Sequence, residues 1–253
     1  MRRLLPLTLA CALVLPACGS GITATQKREE ILVFAAASLT EVFRSMNAAF
    51  GYTHPDVLVR FNFGPSDGLA TGLAEGAPAD VFASASTKWM DAVATKPGVR
   101  QRAVFARNSL TVIVPKANPA HVARFADLAR PGVKLVLAAA SVPVGTYARQ
   151  ALAKAGLERA ERNVVSNEED VKGVVQKILL GEADAGIVYR TDVTSAVSSQ
   201  ITAIPIANAD NVIASYEIGV LETSDHRSAA RAFVAYVLGP GQEALREAGF
   251  LAP

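Results

Sequence analysis

The feature that most constrains this chain is a regular alternation, after residue 30, between short apolar runs and segments with helical periodicity. The apolar runs predict strands at 31–37, 57–63, 79–84, 110–115, 134–140, 183–189, 201–207 and 216–222. The helical segments lie at 40–50, 68–76, 87–96, 142–156, 169–181 and 228–238. Strands that alternate with helices favour an α/β architecture with largely parallel sheets, and nearly continuous apolar strands fit sheets that are covered on both faces.

Two of the predicted strands mark places where the chain could pass between two lobes. The strand at 110–115 follows the polar stretch RQRAVFARNS, which we interpret as a loop, and the strand at 216–222 follows the polar stretch NADN. Two crossings at these places would make one lobe discontinuous. The predicted lobes are then 31–107 plus 217–253 for lobe I and 108–216 for lobe II.

The first residues read differently from the rest of the chain. A short positive segment, MRR, precedes an apolar run of about a dozen residues, too short for a permanent membrane span. Leu15-Pro16-Ala17-Cys18 resembles the lipobox of bacterial lipoproteins, which implies cleavage before Cys18 and a lipid on that cysteine. We therefore predict a lipoprotein signal peptide at 1–17, a flexible tether at 18–30 and a lipid anchor at the outer face of the cytoplasmic membrane. The alternative is an ordinary secretory signal with an incidental cysteine.

Composition limits the remaining possibilities. The chain has 51% hydrophobic and 19% charged residues and a net charge of +2 without long charge runs, so nothing suggests a nucleic-acid partner. Of its two cysteines, Cys11 lies within the predicted signal, which rules out a disulfide framework in the mature chain. Removing 1–17 leaves 23 Lys and Arg against 23 Asp and Glu. The net charge of the mature chain is therefore zero, so attraction for an anion must come from the groups around its binding site and not from the charge of the whole protein.

Several predicted strand-to-helix corners carry a small or polar residue where the helix begins. These corners contain Ser38, Ser66, the segment 143–146 and the segment 167–171. A helix N-terminus leaves backbone N–H groups unpaired and carries a partial positive charge. Several of them pointing into one cleft, beyond the carboxyl ends of the strands, would bind an anion without any Lys or Arg.

Each corner also has a simpler explanation. Ser38 followed by Glu41 is a capping-box pattern, and Ser66 with Asp67 would suit a helix N-cap. Tyr189 would be an ordinary core tyrosine with a satisfied hydroxyl. The other candidates would be packing residues, Val144 and Val171, or solvated cations, Arg149, Lys172 and Arg190. The anion-site interpretation therefore depends on the whole set of corners.

A resemblance to a known family joins these corners. Read in order, VFAAASLTEVF, EGAPADVFASASTKWMD, VPVGTYARQAL, EDVKGVV and ADAGIVYRTD resemble the periplasmic molybdate-binding proteins of ABC transporters, over about residues 31–253. The resemblance implies the two-lobed class II periplasmic binding protein fold, with each lobe a mostly parallel sheet flanked by helices and a ligand cleft between the lobes. It implies capture of molybdate or tungstate for a membrane permease, by a monomer that is not an enzyme and has no cofactor.

The resemblance also implies which residues bind the ligand. The hydroxyl groups of Ser38 and Ser66, the main-chain N–H groups of Val144 and Val171 and the hydroxyl of Tyr189 would all donate to the oxyanion. No metal is implied other than the molybdenum of the ligand.

The segment around Ser66 departs from the serine-rich pattern of the family. Pro65 has no N–H to donate, and Asp67 places an acid beside the proposed anion. An inward Asp67 would repel a dianion and accept the proton of hydrogen phosphate, so sulfate or phosphate is the alternative ligand. A secreted phosphatase is a less favoured class, because His54, His121 and His226 are scattered and no GxSxG or P-loop motif is present. A lipid-anchored structural or adhesion protein is a third class.

Overall fold

The computed structural model describes residues 28–253. The predicted signal peptide, Cys18 and the tether up to residue 27 lie outside the described residues. Among the residues it does describe, no helix is both long enough and apolar enough to cross a membrane.

The described chain forms nine strands and seven α-helices. The strands are β1 (Glu29–Ala36), β2 (Val57–Gly64), β3 (Val81–Ser84), β4 (Val99–Pro115), β5 (Leu135–Ala138), β6 (Val164–Glu168), β7 (Ala185–Tyr189), β8 (Ile201–Pro205) and β9 (Ile213–Leu221). The helices are α1 (Thr40–Thr53), α2 (Ser66–Ala74), α3 (Thr87–Thr95), α4 (Pro143–Lys154), α5 (Val171–Leu179), α6 (Arg227–Leu238) and α7 (Gln242–Glu247).

The strands pair in the order β2-β1-β3-β9-β4-β7-β5-β6, with β8 also beside β4. Parallel pairing occurs in two groups, β1 with β2 and β3, and β5 with β6 and β7. The strands β4, β8 and β9 pair antiparallel with their neighbours. The architecture is therefore mixed α/β, because the strands that connect the two parallel groups run against them.

One long strand joins the two groups. From Val99 to Ser109, β4 pairs with β9, and from Leu110 to Pro115 it pairs with β7 and β8. The stretch 100–109, which the sequence predicted as a loop, is thus the first part of β4. Its arginines obscure the alternating apolar pattern of a strand. This part of β4 is exposed along much of its length and has two register shifts in its pairing with β9. The boundaries of the predicted lobes stay a prediction.

Two further differences from the predicted elements concern β6 and the start of β1. β6 was not predicted, because it is an edge strand without a buried face and Val165 is 57% exposed. β1 begins at Glu29 and so includes the last two residues of the predicted tether, because the Glu29 N–H donates to the Asp56 carbonyl at 2.8 Å. Both segments are strands because of main-chain hydrogen bonds, so their side chains show little of the apolar pattern from which a strand is predicted.

Helices that begin near the strand ends are fixed by their apolar faces. α1 buries Val42, Phe43, Met46 and Phe50, and α5 buries Val171, Val174, Val175 and Ile178. Each fully buried large side chain stabilises the fold by roughly 1.5–3 kcal/mol relative to exposure, so these faces hold each helix firmly in place. The N-termini of α1 and α5 are thereby fixed at the carboxyl ends of β1 and β6.

Candidate functional site

The structure places the candidate residues around one small cavity of about 20 Å³. It is lined by Ser38, Ser66, Val144, Val171 and Tyr189, together with Ala36, Ala37, Gly64, Pro65, Ala85, Val142, Pro143 and Asp170. One wall comes from the ends of β1, β2 and β3, and the other from the starts of α4 and α5 and the end of β7. A cavity needs about 10–15 Å³ on this measure to hold one water molecule, so this one admits only a very small ligand.

Ser38 lies in a single 3₁₀ turn, Ala37–Leu39, between β1 and α1. Its buried hydroxyl oxygen is 2.9 Å from the hydroxyl oxygen of Tyr216. α1 has Leu39 as its N-cap and no side-chain capping bond, while Glu41 is paired with Lys172. The helix-capping explanation of Ser38 is therefore wrong.

Ser66 is the first residue of α2 and is almost completely buried. The N-cap is Pro65, and the Ser66 hydroxyl oxygen accepts a hydrogen bond from the Ala85 N–H at 3.1 Å. The capping explanation of Ser66 is wrong as well. Because its oxygen already accepts a hydrogen bond from inside the protein, the hydroxyl proton can be donated to the cavity.

Asp67 does not line the cavity. Its Oδ1 is shielded from solvent and has no hydrogen-bond partner within residues 28–253. The inward orientation that would favour hydrogen phosphate is therefore not the one in this structure.

α4 and α5 present their N-termini to the cavity. In α4, Pro143 has no N–H and the Thr146 N–H donates to the Val142 carbonyl at 2.9 Å, which leaves Val144 in the unpaired first turn. In α5, the Asp170 carboxylate accepts from the Gly173 N–H at 2.9 Å. Val171, at the first position of α5, is likewise among the N–H groups that a helix leaves without an intrahelical partner.

Gly145 sets the close approach of α4 to the end of β5. A Cβ at this position would lie 2.1 Å from the Ala139 carbonyl oxygen and 2.4 Å from that of Ala138. The side chain of Arg149 reinforces the same corner, since its guanidinium donates to the carbonyls of Ala138 at 2.9 Å and Gly145 at 3.0 Å. The prediction that Arg149 is simply solvated is therefore wrong.

Tyr189, the last residue of β7, brings a hydroxyl that has no hydrogen-bond partner within residues 28–253. Burial raises the pKa of this hydroxyl well above its usual value, and Tyr216 raises it further. The group is therefore a neutral donor. Leaving a buried hydroxyl unpaired costs about 1–3 kcal/mol, a cost that an acceptor in the cavity would remove.

The cavity has no cationic side chain. Among the described residues its lining contains neither Lys nor Arg, and the carboxylate of Asp170 is engaged at the start of α5. What the lining offers is two serine hydroxyls, one tyrosine hydroxyl and two helix N-termini. This arrangement suits a small acceptor-rich anion.

Sequence reasoning missed Tyr216, which lies in β9 and is fully buried. It contacts Ser38 through its hydroxyl and Tyr189 through its ring, with the two ring centroids 5.7 Å apart. The available signal was weak: a tyrosine near the start of a strand, whose hydroxyl needs a partner when it is buried. Nothing in the sequence places that partner 178 residues away.

Two polar contacts connect the walls beside the cavity. Lys172 of α5 lies 2.8 Å from the Glu41 carboxylate of α1, and 3.1 Å from Asp192. The indole N–H of Trp89 in α3 donates to the Ser141 carbonyl at 3.0 Å. Lys172 was predicted to be solvated, but the structure places it between two carboxylates.

Comparison with known proteins decides the family. Residues 31–251 match the bacterial extracellular solute-binding protein family. This chain belongs to that family. As a solute-binding protein it binds and does not catalyse, which confirms the expectation that it is not an enzyme. Its family also places it outside the cytoplasm.

Individual relatives agree with this assignment. The molybdate-binding protein ModA of Mycobacterium tuberculosis is 40% identical over 248 residues, which cover 94% of this solute-binding protein and 93% of the relative. The periplasmic molybdate-binding protein of Azotobacter vinelandii superposes with a TM-score of 0.76 at 21% identity, over 88% of this chain and 99% of that one. The sulfate-binding protein SubI of M. tuberculosis has a TM-score of 0.78 at 18% identity, over 88% and 86%. The two structures show the fold alone, and they confirm the two-lobed periplasmic binding protein fold.

Proposed function

We propose that this solute-binding protein captures molybdate or tungstate outside the cytoplasm and delivers it to the membrane permease of an ABC transporter. The observation that carries the proposal is the buried, donor-lined cavity with an unpaired Tyr189 hydroxyl. The name of the M. tuberculosis relative, a molybdate-binding protein 40% identical to this chain, supports the choice of ligand.

The proposed contacts are neutral hydrogen bonds. Ser38, Ser66 and Tyr189 donate through hydroxyl groups, and Val144 and Val171 donate through the main chain. A hydrogen bond to a charged group contributes roughly 1.5–3 kcal/mol, so five such bonds contribute on the order of 7–15 kcal/mol before the cost of association. That cost is about 4–15 kcal/mol, and a micromolar to nanomolar Kd is a reasonable expectation.

Selectivity against hydrogen phosphate follows from the shortage of acceptors in the lining. Asp67 does not line the cavity, and Asp170, the one carboxylate in the described lining, already accepts from the Gly173 N–H, so the proton of hydrogen phosphate would have only the rest of that carboxylate to donate to. Sulfate is a fully deprotonated dianion that can use the same donors. Only the size of the cavity would separate it from molybdate, which makes sulfate the competitor to test.

The single tryptophan provides the test of binding and closure. Trp89 contacts Ser141 across the two walls, so ligand-driven closure should change its fluorescence. Molybdate and tungstate should produce a saturable change and a rise in Tm, whereas sulfate should require much higher concentrations. A protein whose fluorescence and Tm respond to none of these anions would contradict the proposal.

We also propose that the mature protein is a monomer, anchored by lipid on Cys18, and that it needs no cofactor. The anchor is supported by the sequence Leu15-Pro16-Ala17-Cys18. Cys18→Ser should move the protein from the membrane fraction to the soluble fraction after cell lysis. A variant that still sediments with membranes would contradict the anchor. Light scattering of the detergent-free Cys18→Ser protein checks the monomer.

A further inference from the structure

We infer that Tyr216 is a positioning residue for ligand selectivity: its hydroxyl donates to the Ser38 oxygen and so directs the single Ser38 proton toward the bound anion. This inference rests on the proposed oxyanion-binding function. It assigns a role to a residue that does not line the cavity itself.

The position of the Tyr216 hydroxyl is fixed by packing. The ring is fully buried and meets Tyr189, Phe105 and Phe250 edge to face, with centroid distances of 5.7, 6.2 and 5.4 Å. Its hydroxyl oxygen lies 2.9 Å from the hydroxyl oxygen of Ser38. Because three aromatic neighbours hold the ring, the hydroxyl is held beside Ser38, and the side chains of Asn108 and Tyr189 also lie near it.

The number of protons decides the direction of this hydrogen bond. Either oxygen of the pair could be the donor in the empty protein. A serine hydroxyl has a single proton, so a Ser38 that donated to Tyr216 would turn its lone pairs toward the anion. If Tyr216 donates, Ser38 accepts on the inside and donates on the cavity side. Binding of an acceptor-only anion therefore requires Tyr216 to be the donor.

Ser66 shows the same arrangement, but there the donor is a main-chain N–H, which cannot act as an acceptor. Its oxygen accepts from the Ala85 main-chain N–H at 3.1 Å, which leaves its own proton for the cavity. At Ser38 the corresponding donor is a side chain and can be removed by mutation. With both serines held as donors, no hydroxyl acceptor faces the ligand, and an oxyanion that carries a proton is disfavoured.

Removing the Tyr216 hydroxyl should therefore change selectivity as well as affinity. Tyr216→Phe keeps the ring and its aromatic contacts, but it leaves the Ser38 hydroxyl free to rotate and to accept a proton. We expect molybdate affinity to fall about tenfold and the ratio of molybdate to hydrogen phosphate affinity to fall by at least about tenfold. A purely structural role would weaken both anions equally and leave the ratio unchanged.

The experiment is calorimetric titration of the full-length wild type and variants with sodium molybdate and sodium phosphate at one pH. Tyr236→Phe is the matched control, because Tyr236 packs on Phe50 with ring centroids 5.4 Å apart and does not line the cavity. The wild type and this control should share one affinity ratio. A wild type that binds no molybdate would refute the proposed function, which is a different outcome from an unchanged ratio in Tyr216→Phe.

A double-mutant cycle tests whether Tyr216 acts through Ser38. In a Ser38→Ala background, Tyr216→Phe should cause no further loss of molybdate affinity, because the hydroxyl it orients is gone. Additive losses would overturn the inference, and so would an unchanged anion ratio in the single variant. If Tyr216→Phe fails to fold, site-specific 3-fluorotyrosine at 216 replaces it. A more acidic phenol should keep or increase the preference for molybdate, and a decreased preference would overturn the inference.

Discussion

The side-chain amine of Lys172 lies 2.8 Å from a carboxylate oxygen of Glu41 and thereby joins α5 to α1. Both helices begin at the cavity, and Lys172 directly follows Val171, one of the proposed main-chain donors. The same amine is 3.1 Å from the fully buried carboxylate of Asp192. Burial lowers the pKa of Lys172, but the two carboxylates outweigh burial and raise it, so the link is charged.

Lys172→Met should weaken both the fold and the binding of molybdate. It leaves the Asp192 carboxylate buried without a cation and removes the link between the two helices. Breaking a buried ion pair costs about 3–5 kcal/mol of stability. Because Lys172 is partly exposed, we expect the loss of stability in Lys172→Met to be at or below the lower end of that range. Thermal melts with and without molybdate measure the effect.

Lys177→Met is the matched control in the same helix. Lys177 pairs with Glu182 on the surface, where solvent screens the two charges and the pair contributes little to stability. Its Tm and its molybdate affinity should stay close to those of the wild type. Equal effects of the two substitutions would contradict a special role for the Lys172 link.

Asp192 should make stability depend on pH in an unusual direction. Burial raises its pKa from 3.8 to about 6, against the opposing effect of Lys172. The folded state therefore binds this proton more tightly than the unfolded chain. The stability that Asp192 contributes is fully present below pH 4 and is lost as the pH rises through 6.

Asp192→Asn removes this titration and keeps a neutral side chain of similar shape. The free energy of unfolding of the variant, relative to the wild type, should increase between pH 4 and pH 6. A shift of about two pKa units corresponds to at most about 3 kcal/mol. Urea denaturation of both proteins at several pH values between 4 and 6 gives the difference in their free energies of unfolding. The titration of the other carboxylates is common to both proteins and drops out of this difference. A difference that does not change with pH would contradict the prediction.

Ser38→Ala should weaken molybdate binding by about 1–3 kcal/mol, because the bound anion loses a hydrogen-bond donor. Calorimetric titration measures this loss. Ser228→Ala, at an exposed position in α6, is the control and should bind as the wild type does. Unchanged affinity in Ser38→Ala would exclude Ser38 from the site.

Gly145→Ala should displace the start of α4 and its main-chain donors. The added Cβ would meet the Ala139 carbonyl oxygen at 2.1 Å, and backbone atoms cannot move aside as a flexible side chain can. We expect a loss of roughly 1–3 kcal/mol in stability and a clear loss of affinity. Gly51→Ala, in α1 with nothing within 4 Å of the new Cβ, should instead stabilise the protein by up to about 1 kcal/mol. Melting curves of the two variants should therefore shift in opposite directions.

The local features of this fold could be predicted from the sequence, and its long-range contacts could not. Apolar runs marked most strands, and the corners at Ser38, Ser66, Val144 and Val171 could be located because strand ends and helix starts have local signals. The family resemblance grouped these corners with Tyr189, and the structure places all five around one cavity.

The missed features depend on partners far away in the chain. The first half of β4 is rich in arginine and is a strand only because β9 pairs with it. The role of Tyr216 depends on Ser38, and that of Lys172 depends on Glu41, 131 residues earlier. Lys172 and Arg149 look like ordinary surface cations in the sequence, because nothing local shows which acceptors the fold brings to them.

The most direct test of the molybdate-binding function is calorimetric titration of the purified protein with molybdate, tungstate, sulfate and phosphate at one pH and salt concentration. The donor-rich cavity, which has no Lys or Arg in its described lining, predicts tight binding of molybdate and tungstate, much weaker binding of sulfate and the weakest binding of phosphate. A preference for phosphate, or no heat with any of the four anions and an unchanged Tm, would contradict it.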